Sequence, residues 1–178
     1  MFAMQWGERY FDASRARNFG ASLVTTEYVA FVDADSVCMP GLGDEVRSLL
    51  SRDSMVLSAR TDDGRDIPDT VGFIACPTDA FRAVGCYSEE WIGWGSEDLQ
   101  LRGKLFLDCG LKVKRLAGMS LGAIAHSNEM RNQHRELPIE MTALDGFNKL
   151  SEWYVRRGYD SFSTHPDLKD IAFVGASP

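Results

Sequence analysis

Tyr28-Val29-Ala30-Phe31-Val32-Asp33-Ala34-Asp35-Ser36 is the stretch that decides the fold class. An unbroken apolar run of strand length, rich in β-branched and aromatic residues, stops at two carboxylates one residue apart. Such a run is expected as a strand buried on both faces inside a parallel sheet. The acids then fall at its carboxyl end, where open α/β sheets bind their ligands. Residues i and i+2 of a strand share a face, so Asp33 and Asp35 are expected to converge on one point. Two ionised carboxylates that close repel unless a cation or donor groups lie between them. A hard divalent ion such as Mg²⁺ or Mn²⁺, bridged to phosphate oxygens, would satisfy both. The plainer alternative is a polar strand end running into a turn, with both acids solvated.

With 178 residues the chain is expected as one domain, residues 1–178, with a substantial core. Apolar content of 44% and charged content of 25% are those of a globular protein. A net charge of −7 and the lack of a Lys/Arg run argue against a nucleic-acid binder. Cys38, Cys76, Cys86 and Cys109 show no CxxC spacing, so neither a zinc knuckle nor a disulfide scaffold is indicated, and a reducing compartment is expected. The first residues have no basic segment leading into an apolar run, and no apolar run reaches membrane-spanning length. The expectation is a cytoplasmic protein, at most peripheral to a membrane.

Helical and strand patterns alternate outward from the opening stretch, which makes the class α/β. Residues 8–24 read as a helix with Tyr10, Phe11, Ala16, Phe19 and Leu23 on one side and Arg15, Arg17 and Asn18 on the polar portion. A second helix opens at Pro40-Gly41 and runs to about Ser51. Strands are expected at Met55–Ala59, Val71–Cys76 and Leu111–Leu116, and a short helix at Asp79–Val84. An amphipathic helix carrying Met141, Leu144, Phe147, Leu150 and Tyr154 is expected from Ile139 to about Arg157.

Glu89-Glu90-Trp91-Ile92-Gly93-Trp94-Gly95-Ser96-Glu97-Asp98 is the second informative stretch. Glycines interleaved with tryptophans favour a loop. Ser96 is a favoured N-cap, and Glu97 and Asp98 then lie in the first turn of a helix that ends near Gly110, where the dipole favours carboxylates. Farther on, an apolar segment, Leu121–Ala125, leads into His126, a candidate imidazole ligand for an ion held by Asp35 and Asp33. Each element also has a plain reading: solvated acids, core tryptophans, an ordinary histidine. Aromatic faces beside a carboxylate are nonetheless a common way to hold a sugar ring.

Jointly, Ala16-Arg17-Asn18-x-Gly20, the strand ending in Asp33-Ala34-Asp35, Gly93-Trp94-Gly95-Ser96-Glu97-Asp98 and His126 occur in the order seen in GT-A fold glycosyltransferases. The chain most resembles the family-2-like enzymes and the galactosyltransferase group with its Gly-Trp-Gly-Gly-Glu-Asp motif. His126-Ser127-Asn128 and Asn132-Gln133-His134-Arg135 also resemble the galactosyltransferase stretch after its metal-binding histidine. The resemblance spans roughly residues 15–135.

That resemblance implies a mixed sheet flanked by helices and a transferase using a nucleotide sugar, UDP-linked, with a carbohydrate or glycoconjugate acceptor. Asp33, Asp35 and His126 would hold Mn²⁺ or Mg²⁺ on the diphosphate, and Arg17 and Asn18 would either reach the nucleotide or anchor their helix to the sheet. Asp98, expected to be ionised at neutral pH, would be the general base. Glu97, Trp94, Trp91 and Gly95 would line the acceptor side. A Glu-Asp pair implies inversion; retaining N-acetylgalactosaminyl enzymes of this layout have Glu-Asn. Ser96 and Cys86 stand where the family motifs have glycine, and both are small replacements expected to be tolerated. The Asp-Ala-Asp turn comes early, so much of the N-terminal nucleotide-binding half is absent from this chain. Either the chain is a fragment, or another chain or a homo-oligomer supplies that half, or this is a reduced, inactive relative. The rival readings are a non-catalytic carbohydrate-binding remnant and a metal-dependent nucleotidyltransferase.

Overall fold

A computed structural model describes residues 12–61, 67, 69–91, 96–117, 120–124 and 139–159. The central element is a four-stranded mixed sheet of β1 (Tyr28–Phe31), β3 (Ser54–Leu57), β4 (Ile74–Pro77) and β5 (Lys112–Arg115), in the order β1-β4-β3-β5. β1 and β3 both run antiparallel to β4, and β5 runs parallel to β3. A separate two-stranded ribbon pairs β2 (Ser36–Cys38) with β6 (Leu121–Ala123).

Both faces of β3 and β4 are covered, which is why Met55–Leu57 and Phe73–Cys76 read as continuous apolar runs. Met55, Leu57, Ile74 and Cys76 face one core, shared with Phe31, Phe81, Tyr87, Leu101, Leu105, Leu150 and Tyr154. Val56 and Ala75 face the other, against Leu42, Leu116 and Leu121, with Val46 and Leu49 of α2 (Leu42–Leu49) beside them. The remaining helices are α1 (Ala13–Ser22), α3 (Thr78–Ala83), α4 (Glu97–Leu107) and α5 (Ile139–Val155). α4 and α5 approach closely at Gly103, where a Cβ would collide with the Tyr154 hydroxyl and touch the Trp153 ring.

Two expectations are corrected. β1 is not buried on both faces: it forms the margin of the sheet among the described residues, its Ala30 is exposed, and Val32 just past it is 44% exposed. α1 also turns a different side inward. Phe19 and Leu23 are 44% and 45% exposed, whereas Ser14 and Ala21 are buried and Arg17 and Asn18 are drawn toward the protein. Hydrogen bonds and ion pairs made by its polar side orient this helix, and they outweigh the burial of two apolar side chains. Of the apolar positions expected on the last helix, Leu150 and Tyr154 are buried, Phe147 is exposed, and the side chains of Met141 and Leu144 lie outside the described set. Tyr10 and Phe11 also lie outside it.

Candidate active site

The site is built around Arg17. Asp12 caps α1 by accepting the Arg15 backbone N–H at 3.0 Å, and Arg17 leaves the helix toward the end of β1. One Nη donates to Asp33 Oδ1 at 2.6 Å. The other lies 3.1 Å from Glu97 Oε1 and 3.0 Å from Asp98 Oδ1, both at the start of α4. Its guanidinium carbon sits 5.1 Å from the centroid of the Tyr87 ring. Three carboxylates from two distant segments therefore share one cation. Burial alone would lower the affinity of Arg17 for its proton, but Asp98, Tyr87, Glu97 and Asp33 together hold it above its ordinary value.

Asp98 departs from expectation. Burial, reinforced by the neighbouring Glu97 carboxylate, pushes it up to about 8 despite the opposing pull of Arg17. Loss of water outweighs the helix-start dipole, so this carboxyl holds its proton to higher pH than an ordinary aspartate. The Tyr87 hydroxyl donates to Asp98 Oδ1 at 3.1 Å. Burial, and then the Asp98 charge, raise the Tyr87 phenol well above its usual range, so it stays a donor. Tyr87 packs edge-on to Phe31 at 5.1 Å and near Phe81 at 5.9 Å, which fixes the ring beneath the site.

Tyr87 is the functional residue that sequence reasoning missed. Its signal was the Val84-Gly85-Cys86-Tyr87 turn, and the partner of that turn is Asn18. The Asn18 amide donates to the Tyr87 carbonyl and to Glu89 Oε1, both at 3.0 Å, while its oxygen accepts the Tyr87 N–H at 3.0 Å. Asn18 thereby ties α1 to the turn that carries Tyr87, not to a strand of the sheet.

Asp33 and Asp35 lie on a turn, not on a strand. β1 ends at Phe31, and the Ser36 N–H donates to the Asp33 carbonyl at 3.0 Å. Strand alternation therefore does not govern where these two carboxylates point. Asp33 is clamped between Arg17 and the backbone of Gly72, where a Cβ would overlap its carboxylate. Arg102, fully buried on α4, donates to the Val71 carbonyl and so steadies that backbone. Asp35 accepts the Ile124 N–H on its carbonyl at 2.8 Å, joining the turn to the segment two residues before His126.

Hard carboxylate oxygens of Asp33 and Asp35 are suitable donors for Mg²⁺ or Mn²⁺. Among the described residues no three His, Cys, Asp or Glu side chains gather closely enough to hold a metal. His126 lies outside those residues, as do Trp94 and Gly95. Trp91 does not offer a face to a sugar: at 8% exposure it belongs to the core cluster that includes Tyr87 and Leu101. Glu97 is buried against Arg17. Ser96 sits at the N-cap position of α4 but makes no side-chain cap, because its backbone is left-handed at φ +72°.

Residues 6–72 match the family model of glycosyl transferase family 2, and residues 68–134 match that of the N-terminal domain of galactosyltransferase. A comparison with curated proteins finds no match. Among solved structures, the chain is similar to the catalytic domain of Drosophila beta-1,4-galactosyltransferase 7 in complex with xylobiose, with a TM-score of 0.55 and 19% identity over 78% of this chain and 62% of that one. It is also similar to a point variant of the same Drosophila enzyme bound to manganese, UDP-Gal and xylobiose, with a TM-score of 0.51 and 19% identity over 75% of this chain and 60% of that one. The chain thus spans less than two thirds of either relative, and at this identity the structural likeness is one of fold.

Proposed function

We propose, from its similarity to glycosyltransferases of the GT-A fold, that this chain is the catalytic part of an inverting, metal-dependent transferase using a UDP-linked sugar and a carbohydrate hydroxyl. The observation that carries this reading is the convergence of Asp33, at the end of β1, with Asp98 and Glu97, at the start of α4, on one guanidinium. It brings the carboxylate of a candidate donor site next to a candidate base. The fold relative solved with manganese and UDP-Gal supports the choice of donor and ion.

Asp33 and Asp35, with His126, would hold Mn²⁺ or Mg²⁺, which supplies charge neutralisation at the departing diphosphate. Asp98 accepts the proton of the acceptor hydroxyl as that oxygen bonds to the anomeric carbon. The bond to the diphosphate oxygen breaks on the opposite face, and its electron pair leaves with the nucleoside diphosphate. A base pushed up to about 8 is well matched to receiving this proton, and turnover then rises with pH as Asp98 becomes free to act. Glu97 and Trp94 orient the acceptor.

One observation favours a second reading, a carbohydrate-binding protein without turnover. Arg17 already donates to Asp33 Oδ1, one of the two oxygens this carboxylate could offer a metal. Release of nucleoside diphosphate from a panel of nucleotide sugars, with and without Mn²⁺, separates the two. Mn²⁺-dependent release that is lost in Asp98→Asn supports the transferase; none with any donor supports the binding protein. Pyrophosphate in place of nucleoside diphosphate would identify a nucleotidyltransferase.

A further inference from the structure

We infer that Arg17 is a positioning residue that sets the distance between the base-bearing start of α4 and the donor-side end of β1. The inference goes beyond the transferase reading and rests on it for the catalytic consequence alone. Neither Nη of Arg17 is directed at solvent in search of a ligand: one holds Asp33 at 2.6 Å, the other holds Asp98 and Glu97 at 3.0 and 3.1 Å. The fork spans two segments that no shared β-ladder joins among the described residues, since β1 pairs with β4 and α4 belongs to no sheet.

A rigid planar group with two donor arms fixes both a separation and an angle. A lysine in its place brings the charge but a single point of attachment. The Tyr87 ring beneath the guanidinium limits its tilt, and Asn18, one residue along α1, pins the turn that carries Tyr87. Arg17 therefore works through Asp98, and is not itself a catalytic residue.

Two measurements on the full chain test this. In urea unfolding, Arg17→Gln is combined with Asp33→Asn and, separately, with Glu97→Gln. If Arg17 joins the two segments, its loss lowers the folding constant at least about fivefold less in each partner-deleted background than in the wild type, because the charge left unpaired is gone. Additive losses in both cycles overturn the joint. In kinetics with UDP-galactose, Mn²⁺ and xylobiose, Arg17→Lys lowers kcat about 100-fold with the donor KM within about threefold and the unfolding midpoint little changed. Retention of full kcat overturns the positioning role, and so does a kcat loss matched by a loss of folded protein. A wild-type chain inactive across the donor panel refutes the transferase reading, and the unfolding cycles then decide the joint on their own.

Discussion

Ser96 and Cys86 carry left-handed backbone, at φ +72° and +62°, at the two positions where the family motifs place glycine. Their small size led to the expectation that they are tolerated, but conformation matters here more than volume. An L side chain in this region costs about 1–2 kcal/mol. Ser96→Gly and Cys86→Gly are each expected to raise stability by about 1 kcal/mol in urea titrations, in spite of the entropy glycine adds to the unfolded chain. Asp98 gives the opposite kind of case, a residue whose burial works against the fold. Its carboxyl is raised from the usual 3.8 to about 8, so the stabilisation it contributes is fully present below about pH 4 and is lost as pH rises through 8. Asn cannot ionise and keeps an oxygen for Tyr87. Asp98→Asn is therefore expected to gain on the wild type in melting temperature as pH rises from 4 to 8.5, while transfer disappears. A melting-temperature difference that is flat across this range would contradict the raised carboxyl.

The strands of the sheet centre were legible because their runs at Met55–Leu57 and Phe73–Cys76 are apolar on both faces. β1 has an equally apolar run and a different environment. Composition reports a strand's preference for burial, but it does not say how many neighbours the strand will find. α1 shows a related limit: periodicity weighs apolar side chains, whereas Arg17 and Asn18 bond to groups as far along the chain as Asp98 and Glu89. Two close approaches between elements depend on glycine. Gly72→Ala pushes against the Asp33 carboxylate and is expected to weaken Mn²⁺-dependent UDP binding about tenfold by calorimetry, the scale of a group that supports a metal ligand. Gly103→Ala drives α4 away from Tyr154 and Trp153 and is expected to cost about 1–3 kcal/mol in unfolding.

At the level of the whole molecule, the acids gathered on Arg17 became legible through motif order, which singled out Asp33, Glu97 and Asp98 as candidates. Arg17 as their shared counter-ion did not, since an ion pair across the fold leaves no local signature, and the turn that carries Tyr87 marks its place but not its bond to Asp98. UDP with Mn²⁺ at about one hundred times its Kd is expected to raise the melting temperature of this chain by about 5–10 °C. A shift of that size would show that a chain spanning less than two thirds of its fold relatives still forms a donor site. β1 has one further consequence. Among the described residues only one side of its backbone is bonded, to β4, so its amides are expected to alternate between slow and fast deuterium uptake, while those of β3 and β4 stay uniformly protected. The end of the sheet that presents Asp33 would then be the part of the site that opens first, and the half built on α4 would be the steadier one.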